Sequence, residues 1–291
     1  MSAEQPIAYE VVEDHIAVIT LDREETRNAQ DTDFLYALND AFDRAAHDDD
    51  VKCIVLQAEG PHFSSGHDMR ERDLYGAMER HDTVSTWGGF QTEGEFKQFA
   101  REQEIYVGFC ERWRNLPKPT IAVVQGKCIA GGIMLVWPMD IIVAAEDALF
   151  MDNTVGMGVN GMEYFTHPFE LGPRKAKEML FTSDWVTAEE GLRLGMVNHV
   201  VPVGNEREKA MQIARKIIMR PLIGLRLSKE SVNAAEDTMG RQQVIKQAFA
   251  YHHMAHAQNM LVHGGLIDPT MIKGSFGKKK RADEKSDEAA E

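Results

Sequence analysis

Two short stretches of this chain could do chemistry with their main chain. The first is Phe63-Ser64-Ser65-Gly66-His67-Asp68-Met69. The second is Val124-Gln125-Gly126-Lys127-Cys128-Ile129-Ala130-Gly131-Gly132. Each follows an apolar run of the kind that forms a buried strand, and the second opens onto a helical pattern near Gly131. Glycine at such a turn lets the backbone adopt unusual dihedrals and come close to a ligand. The first amides of a helix have no internal partner and sit at the positive end of its dipole. One such amide, paired with an amide from the other turn, makes a site for a developing oxyanion. Taken singly, each stretch also reads as an ordinary tight turn, because many strands end in glycine.

Other candidates carry less. His252 and His256 stand four apart on a predicted helix, a spacing that could place both on one metal. No HExxH pattern accompanies them, so helix packing at a subunit contact is the favoured reading and no metal is expected. Met151, Met157 and Met162 suit an irregular apolar pocket, because thioethers adapt to gaps; plain core packing explains them equally well. The Ala130-Gly131-Gly132 turn lacks a G-x-G-x-x-G spacing, which disfavours a dinucleotide-binding oxidoreductase.

The elements that must position these turns are legible in outline. Residues 8–12 and 15–21 read as a hairpin split by Glu13-Asp14. Asp31-Thr32-Asp33 offers N-cap oxygens to a helix with Phe34, Leu35, Leu38, Phe42 and Ala45 on one face. Strands are expected at 51–57, 120–125, 140–145 and 148–151, with another near 197–201. Residues 70–100 are polar and irregular, a mobile excursion in which Trp87 and Phe90 could lid the site or serve no role. Helical periodicity runs from about Phe99 to Leu116 and stops at Pro117 and Pro119. From Pro173 onward the pattern is mainly helical, and 222–263 reads as long helices.

The chain has 291 residues, 43% of them hydrophobic and 27% charged, ordinary for a folded globular protein. Its 46 acidic against 32 basic residues give a net charge of −14. So acidic a chain has no general affinity for phosphate backbones, and no nucleic-acid partner is expected. The one dense basic run, Lys278-Lys279-Lys280-Arg281, opens a charged tail expected to be disordered. Cys53, Cys110 and Cys128 cannot make a disulfide framework. The N-terminus lacks the pattern of a signal peptide, and the longest uncharged apolar stretch, 128–139, is too short to cross a bilayer. A cytoplasmic protein without a membrane partner is expected.

Together and in order, these segments resemble the crotonase superfamily, also called the enoyl-CoA hydratase/isomerase family. The resemblance spans roughly residues 7 to 270. It takes in Arg27-Asn28-Ala29, FSSGHDM, PKPTIAVVQGKCIAGG with the following DIIVAAEDALF, FTSDWVTAEEGLRLGMVNHVV and SKESVNAA. It implies an α/β fold: a spiral of strand–strand–helix units over residues 1–205, a helical oligomerisation region at 206–277 and the tail at 278–291. Homotrimers, often paired into homohexamers, are usual. The substrate implied is an acyl-CoA thioester, with coenzyme A as part of the substrate and no permanently bound cofactor. By motif position, the amides of His67 and Gly131 would hold the thioester carbonyl and stabilise an enolate. Arg27 would lie near a CoA phosphate. Ser64 and Ser65 would lie against the bent CoA, with Ala29, Asp68, Met69, Thr154 and Met157 also lining the substrate site.

One departure from the family pattern bears on the reaction. Its hydratases carry two glutamates that activate water and pass protons; here those positions hold Met134 and Thr154. Classical hydration by that pair is therefore disfavoured. Isomerisation, decarboxylation or hydrolysis through the same enolate fits better. Glu163 is the chosen proton shuttle, against the reading that it is a solvated loop acid or a helix N-terminal charge. Asp152 is expected to cap a turn. The His67 side chain could donate to a substrate oxygen, although its backbone alone is the favoured contribution. The competing reading is a catalytically silent acyl-CoA-binding protein that kept the fold.

Overall fold

The apolar runs at the start of the chain pair as expected. In the computed structural model, which describes residues 6–85 and 88–270, β1 (Ile7–Val12) and β2 (Ile16–Leu21) form an antiparallel hairpin. All six residues of β2 are buried, so the strand is apolar on both faces rather than alternating. The carboxylate of Asp31 caps α1 (Thr32–His47) by accepting the Phe34 amide at 2.9 Å. Strand β3 (Cys53–Ala58) then joins β2 in parallel.

After the first candidate turn, the 70–100 region carries a 3-10 turn at Ala77–Arg80 and helix α2 (Glu95–Glu102). A π-helical turn, Gln103–Gly108, links α2 directly to α3 (Phe109–Arg114). The single helix expected from Phe99 to Leu116 is thus longer and broken by a wide turn. Phe90 is partly buried and packs against the core, while Trp87 and the 278–291 tail lie outside the described residues.

Two strand–strand–helix passes follow. The first is β4 (Thr120–Val124), β5 (Lys127–Ile129) and α4 (Gly131–Val136). The second is β6 (Ile141–Ala145), β7 (Leu149–Met151) and α5 (His167–Thr182), with a 3-10 turn at Thr154–Met157 between β7 and α5. Helix α5 starts six residues before Pro173 and bends at Gly172. Then come β8 (Val186–Thr187), α6 (Ala188–Leu194) and β9 (His199–Val201), and finally α7 (Glu206–Ile218), α8 (Leu222–Thr238) and α9 (Arg241–His263).

The main sheet has the order β1-β2-β3-β4-β6-β9, parallel apart from the hairpin; the second is β5-β7-β8. This is the mixed α/β spiral expected from the sequence. One face of the main sheet packs into the large core with α1 and α3. The other is covered by α7 through Ala210 and Ala214 against Val55, Val123 and Val143. Helix α9 lies against α2.

Gly126 makes the crossing from β4 to β5 possible. Its φ is +54°, and a Cβ there would stand 2.0 Å from the Pro61 carbonyl oxygen. Gly126→Ala is therefore expected to destabilise the fold by about 1–3 kcal/mol, read as a lower denaturation midpoint with an unchanged slope.

Candidate active site

The 63–69 turn has no regular structure of its own, so its polar groups find partners elsewhere. The Phe63 amide donates to the Gln125 carbonyl at 3.0 Å, and the Ser64 amide to that of Lys127 at 3.3 Å. The Ser64 carbonyl accepts the Ile129 amide at 3.1 Å. On the other side, the buried Asn28 side-chain amide reaches the carbonyls of Glu59, His62 and Phe63. Gln30 donates through its amide to Gly66, at 2.9 Å, and through its side chain to the Ser64 hydroxyl. The turn is laced between residues 28–30 and β5.

That lacing brings the two glycine-bearing turns together. A Cβ added at Gly131 would stand 3.1 Å from the His67 amide nitrogen and 2.7 Å from two atoms of its ring. Ala130, with φ +43° and ψ −105°, turns the chain into α4 at a backbone geometry costly for a non-glycine residue. Neither the His67 nor the Gly131 amide donates a hydrogen bond among the described residues. Helix α4 has only six residues, so the amides themselves, more than a helix dipole, are what these turns offer. Two such free donors can receive one oxyanion.

Above the turns, the His67 ring stacks on Tyr106 with centroids 4.0 Å apart. Its Nε2 faces Glu163 Oε2 at 3.2 Å. Glu163 is 6% exposed, which rules out the solvated loop acid. Its other oxygen, Oε1, lies 3.6 Å from His252 Nε2. Burial pushes the Glu163 carboxyl up, but the facing His67 and His252 rings outweigh it and hold it below the usual carboxylate range.

A surface cleft of about 470 Å³ opens beside this group, lined by Arg27, Ala29, Ser65, His67, Asp68 and Met69 among others. Arg27 is exposed and makes no ion pair among the described residues. Ser64 departs from expectation: it is fully buried, and its hydroxyl, amide and carbonyl are all spent on the lacing, so it holds the turn and does not line the cleft. Asp68 is likewise committed, paired with Arg23 and Arg70. Thr154 and Met157 lie on the 3-10 turn after β7. The Thr154 hydroxyl donates to Asp152 at 2.6 Å, and the Met157 carbonyl accepts the Asp268 amide. Met134 is buried on α4.

Sequence reasoning missed Tyr106 and Glu102. The available signal was charge on an apolar helix: Arg101, Glu102 and Glu104 recur within the buried run of α2 and the π turn. A π turn inside a helix is itself a frequent mark of function. Asp152 does more than cap. It is fully buried and accepts from the Thr154 and Met162 amides, and it pairs with buried His167 Nε2 at 2.9 Å. His252, His253 and His256 are buried within the chain against α2 rather than left on its surface for a subunit contact.

Comparison with known proteins gives the family and the fold. Residues 12–266 match the sequence model of a family described as enoyl-CoA hydratase/isomerase. The chain is similar to a crystal structure titled a probable enoyl-CoA hydratase from Mycobacterium thermoresistibile. The two share 43% identity, 91% of this chain and 100% of that one, and a TM-score of 0.83. EchA13 of Mycobacterium tuberculosis, whose name marks it provisionally as an enoyl-CoA hydratase, is 40% identical over 90% of this chain and 84% of its own. The rat mitochondrial enoyl-CoA hydratase domain-containing protein 3 is 34% identical over 87% of this chain and 77% of its own.

The Asp152–His167 pair yields a pH test. Burial pushes the Asp152 carboxyl up, but the hydrogen bonds from His167 and Thr154 outweigh it and bring it to about 2. Its stabilisation, about 2 kcal/mol, is therefore present above the unfolded carboxylate value near ~4 and is lost as pH falls towards 2. Asp152→Asn should lower the melting temperature at pH 7 and flatten the acid limb of stability against pH.

Proposed function

Because the chain belongs to the enoyl-CoA hydratase/isomerase family, we propose that it processes an acyl-CoA thioester through an enolate. The amides of His67 and Gly131 hold the thioester oxygen, and Glu163 moves the proton. The observation that carries this reading is the juxtaposition of the two unpartnered amides across separate turns, with one buried carboxylate beside them.

The chemistry follows from what each group can do. A thioester α-proton is weakly acidic, so its removal needs several kcal/mol of help at the oxygen. Peptide donors aimed at that oxygen supply it without titrating, and losing one such donor typically costs about 3–4 kcal/mol of barrier. Glu163 is within reach of a carbon held beside His67, and a carboxylate there can take a proton from one carbon and return it to another. Met134 and Thr154 have no carboxylate, so a water-activating pair is absent from the positions where the family's hydratases keep it. Double-bond isomerisation, or another reaction of the same enolate, fits one proton carrier better than hydration by two. The cleft beside Arg27, Ala29, Ser65 and Met69 takes the CoA moiety, with Arg27 as the cation for a phosphate. A homotrimer or homohexamer in the cytoplasm completes the proposal. No helix of the described residues is long and apolar enough to cross a membrane.

Exchange of the α-proton in heavy water, followed by mass spectrometry over a panel of acyl-CoA thioesters, tests this directly. The wild type should exchange at least one substrate. Glu163→Gln should lose roughly 10²–10⁴-fold of that rate with binding retained. Binding without exchange across the whole panel would instead identify a silent acyl-CoA-binding protein. Gly131→Ala drives a Cβ into the His67 ring and amide; it should cut exchange by about 10²–10³-fold while the circular dichroism spectrum stays native.

A further inference from the structure

Behind Glu163, helices α2 and α9 meet across a cluster of buried ionisable groups that the proposed reaction does not use. Glu102, His252, His253 and His256 are each 5% exposed or less. The Nδ1 atoms of His252 and His256 lie 2.9 Å and 2.7 Å from the carbonyl oxygens of Gly161 and Leu266. A carbonyl oxygen can only accept, so both Nδ1 atoms carry a hydrogen. That fixes the tautomer of each neutral ring and turns its Nε2 lone pair inward. Neither Nε2 has a hydrogen-bond partner among the described residues. His252 Nε2 lies 3.8 Å from Glu102 Oε2, and His256 Nε2 lies 3.5 Å from Glu102 Oε1.

Lone pairs of two rings and a carboxylate facing one another in a buried space repel unless something positive lies between them. We propose that Glu102, His252 and His256 bind a first-row divalent cation, with zinc the best match. One ligand atom from each residue falls within 4.8 Å of the others. Ligands about 2.0–2.2 Å from a zinc ion at a tetrahedral angle stand roughly 3.3–3.6 Å apart, which the observed gaps approach. Two imidazoles and one carboxylate also form a donor set that zinc takes readily. The carbonyls on Nδ1 are the outer partners that orient metal-bound histidines. His253 holds the carboxylate in place: its Nδ1 lies 2.8 Å from Glu95 Oε1 and its Nε2 3.2 Å from Glu102 Oε2. Gln98 donates to Glu102 Oε1.

Protons could supply the positive charge instead, but at a cost. Satisfying the three Nε2 atoms with protons would set three imidazolium rings within 5.8 Å of one another in a desolvated space, with the carboxylates of Glu95, Glu102 and Glu163 offsetting only part of their repulsion. A single dication neutralises the same lone pairs without that repulsion. The site does not depend on the proposed reaction, although an ion there would stand next to Glu163.

The test uses the full chain, stripped with a chelator and titrated with zinc against a competing chromophoric chelator. One equivalent per chain should bind, and cobalt should give the visible absorption of a four-coordinate nitrogen/oxygen site. Glu102→Gln and His256→Gln should each weaken binding by at least 100-fold, and His253→Gln by 10–100-fold. His15→Gln with His47→Gln, both far from α9 in sequence and on the surface, should leave it intact. Zinc should raise the melting temperature of the wild type and of the surface double variant, and leave those of Glu102→Gln and His256→Gln unchanged. A readout without mutation guards against misfolded variants: in nitrogen NMR, zinc should shift the Nε2 signals of two histidines from the unligated position. Failure of zinc, cobalt and manganese to bind stoichiometrically would overturn the site. So would an equivalent that survives Glu102→Gln, or Nε2 atoms that stay protonated in the presence of zinc.

Discussion

Peptide hydrogen bonds between two turns some sixty residues apart hold the candidate site together. Ser64 is at the centre, with its amide on Lys127, its carbonyl on Ile129 and its hydroxyl between Gln30 and Asn28. Each of these bonds is worth only about 0.5–1.5 kcal/mol net, but an unmade buried one costs more. The set therefore fixes one geometry. With it fixed, the amides of His67 and Gly131 are left over, each without a partner. The amides of Phe63, Ser64, Ser65, Gly66, Asp68 and Ala130 around them are all spent on other partners.

The sheet makes that lacing possible. Parallel strands β3 and β4 run side by side, so the turns that follow them emerge at the same edge. The short second sheet, β5-β7-β8, then pulls β5 across to meet the first turn. Gly126, Gly131 and the strained Ala130 are where this crossing is tightest. Strain of that kind persists only where the surroundings over-determine it, and here both flanking strands are paired.

A second layer sits behind the first. The π turn at Gln103–Gly108 places Tyr106 over the His67 ring. Glu163 touches His67 on one side and His252 on the other. A path of largely buried polar groups thus runs from the two glycine-bearing turns to the α2–α9 contact. Burying so many ionisable groups is expensive unless each is paired, so the apolar core cannot be the reason for their presence.

The sequence alone determined the hairpin, the cap at Asp31, the buried strands and the two glycine turns. These follow from local spacing and from residue types with few alternatives. Family likeness added which amides to watch and the expectation that Met134 and Thr154 stand where hydratases of the family keep glutamates. Tertiary structure alone decided the rest. A string of residues does not say that Ser64 turns inward while Ser65 faces the cleft, because the choice rests on hydrogen bonds to residues 28–30 and 127–129. Nor does it say that Glu163 is buried against His67, or that Glu102 and Tyr106, unremarkable on a helix, close on partners 39 to 154 residues away. Electrostatic character depends on distance and burial, and those exist only once the chain has folded.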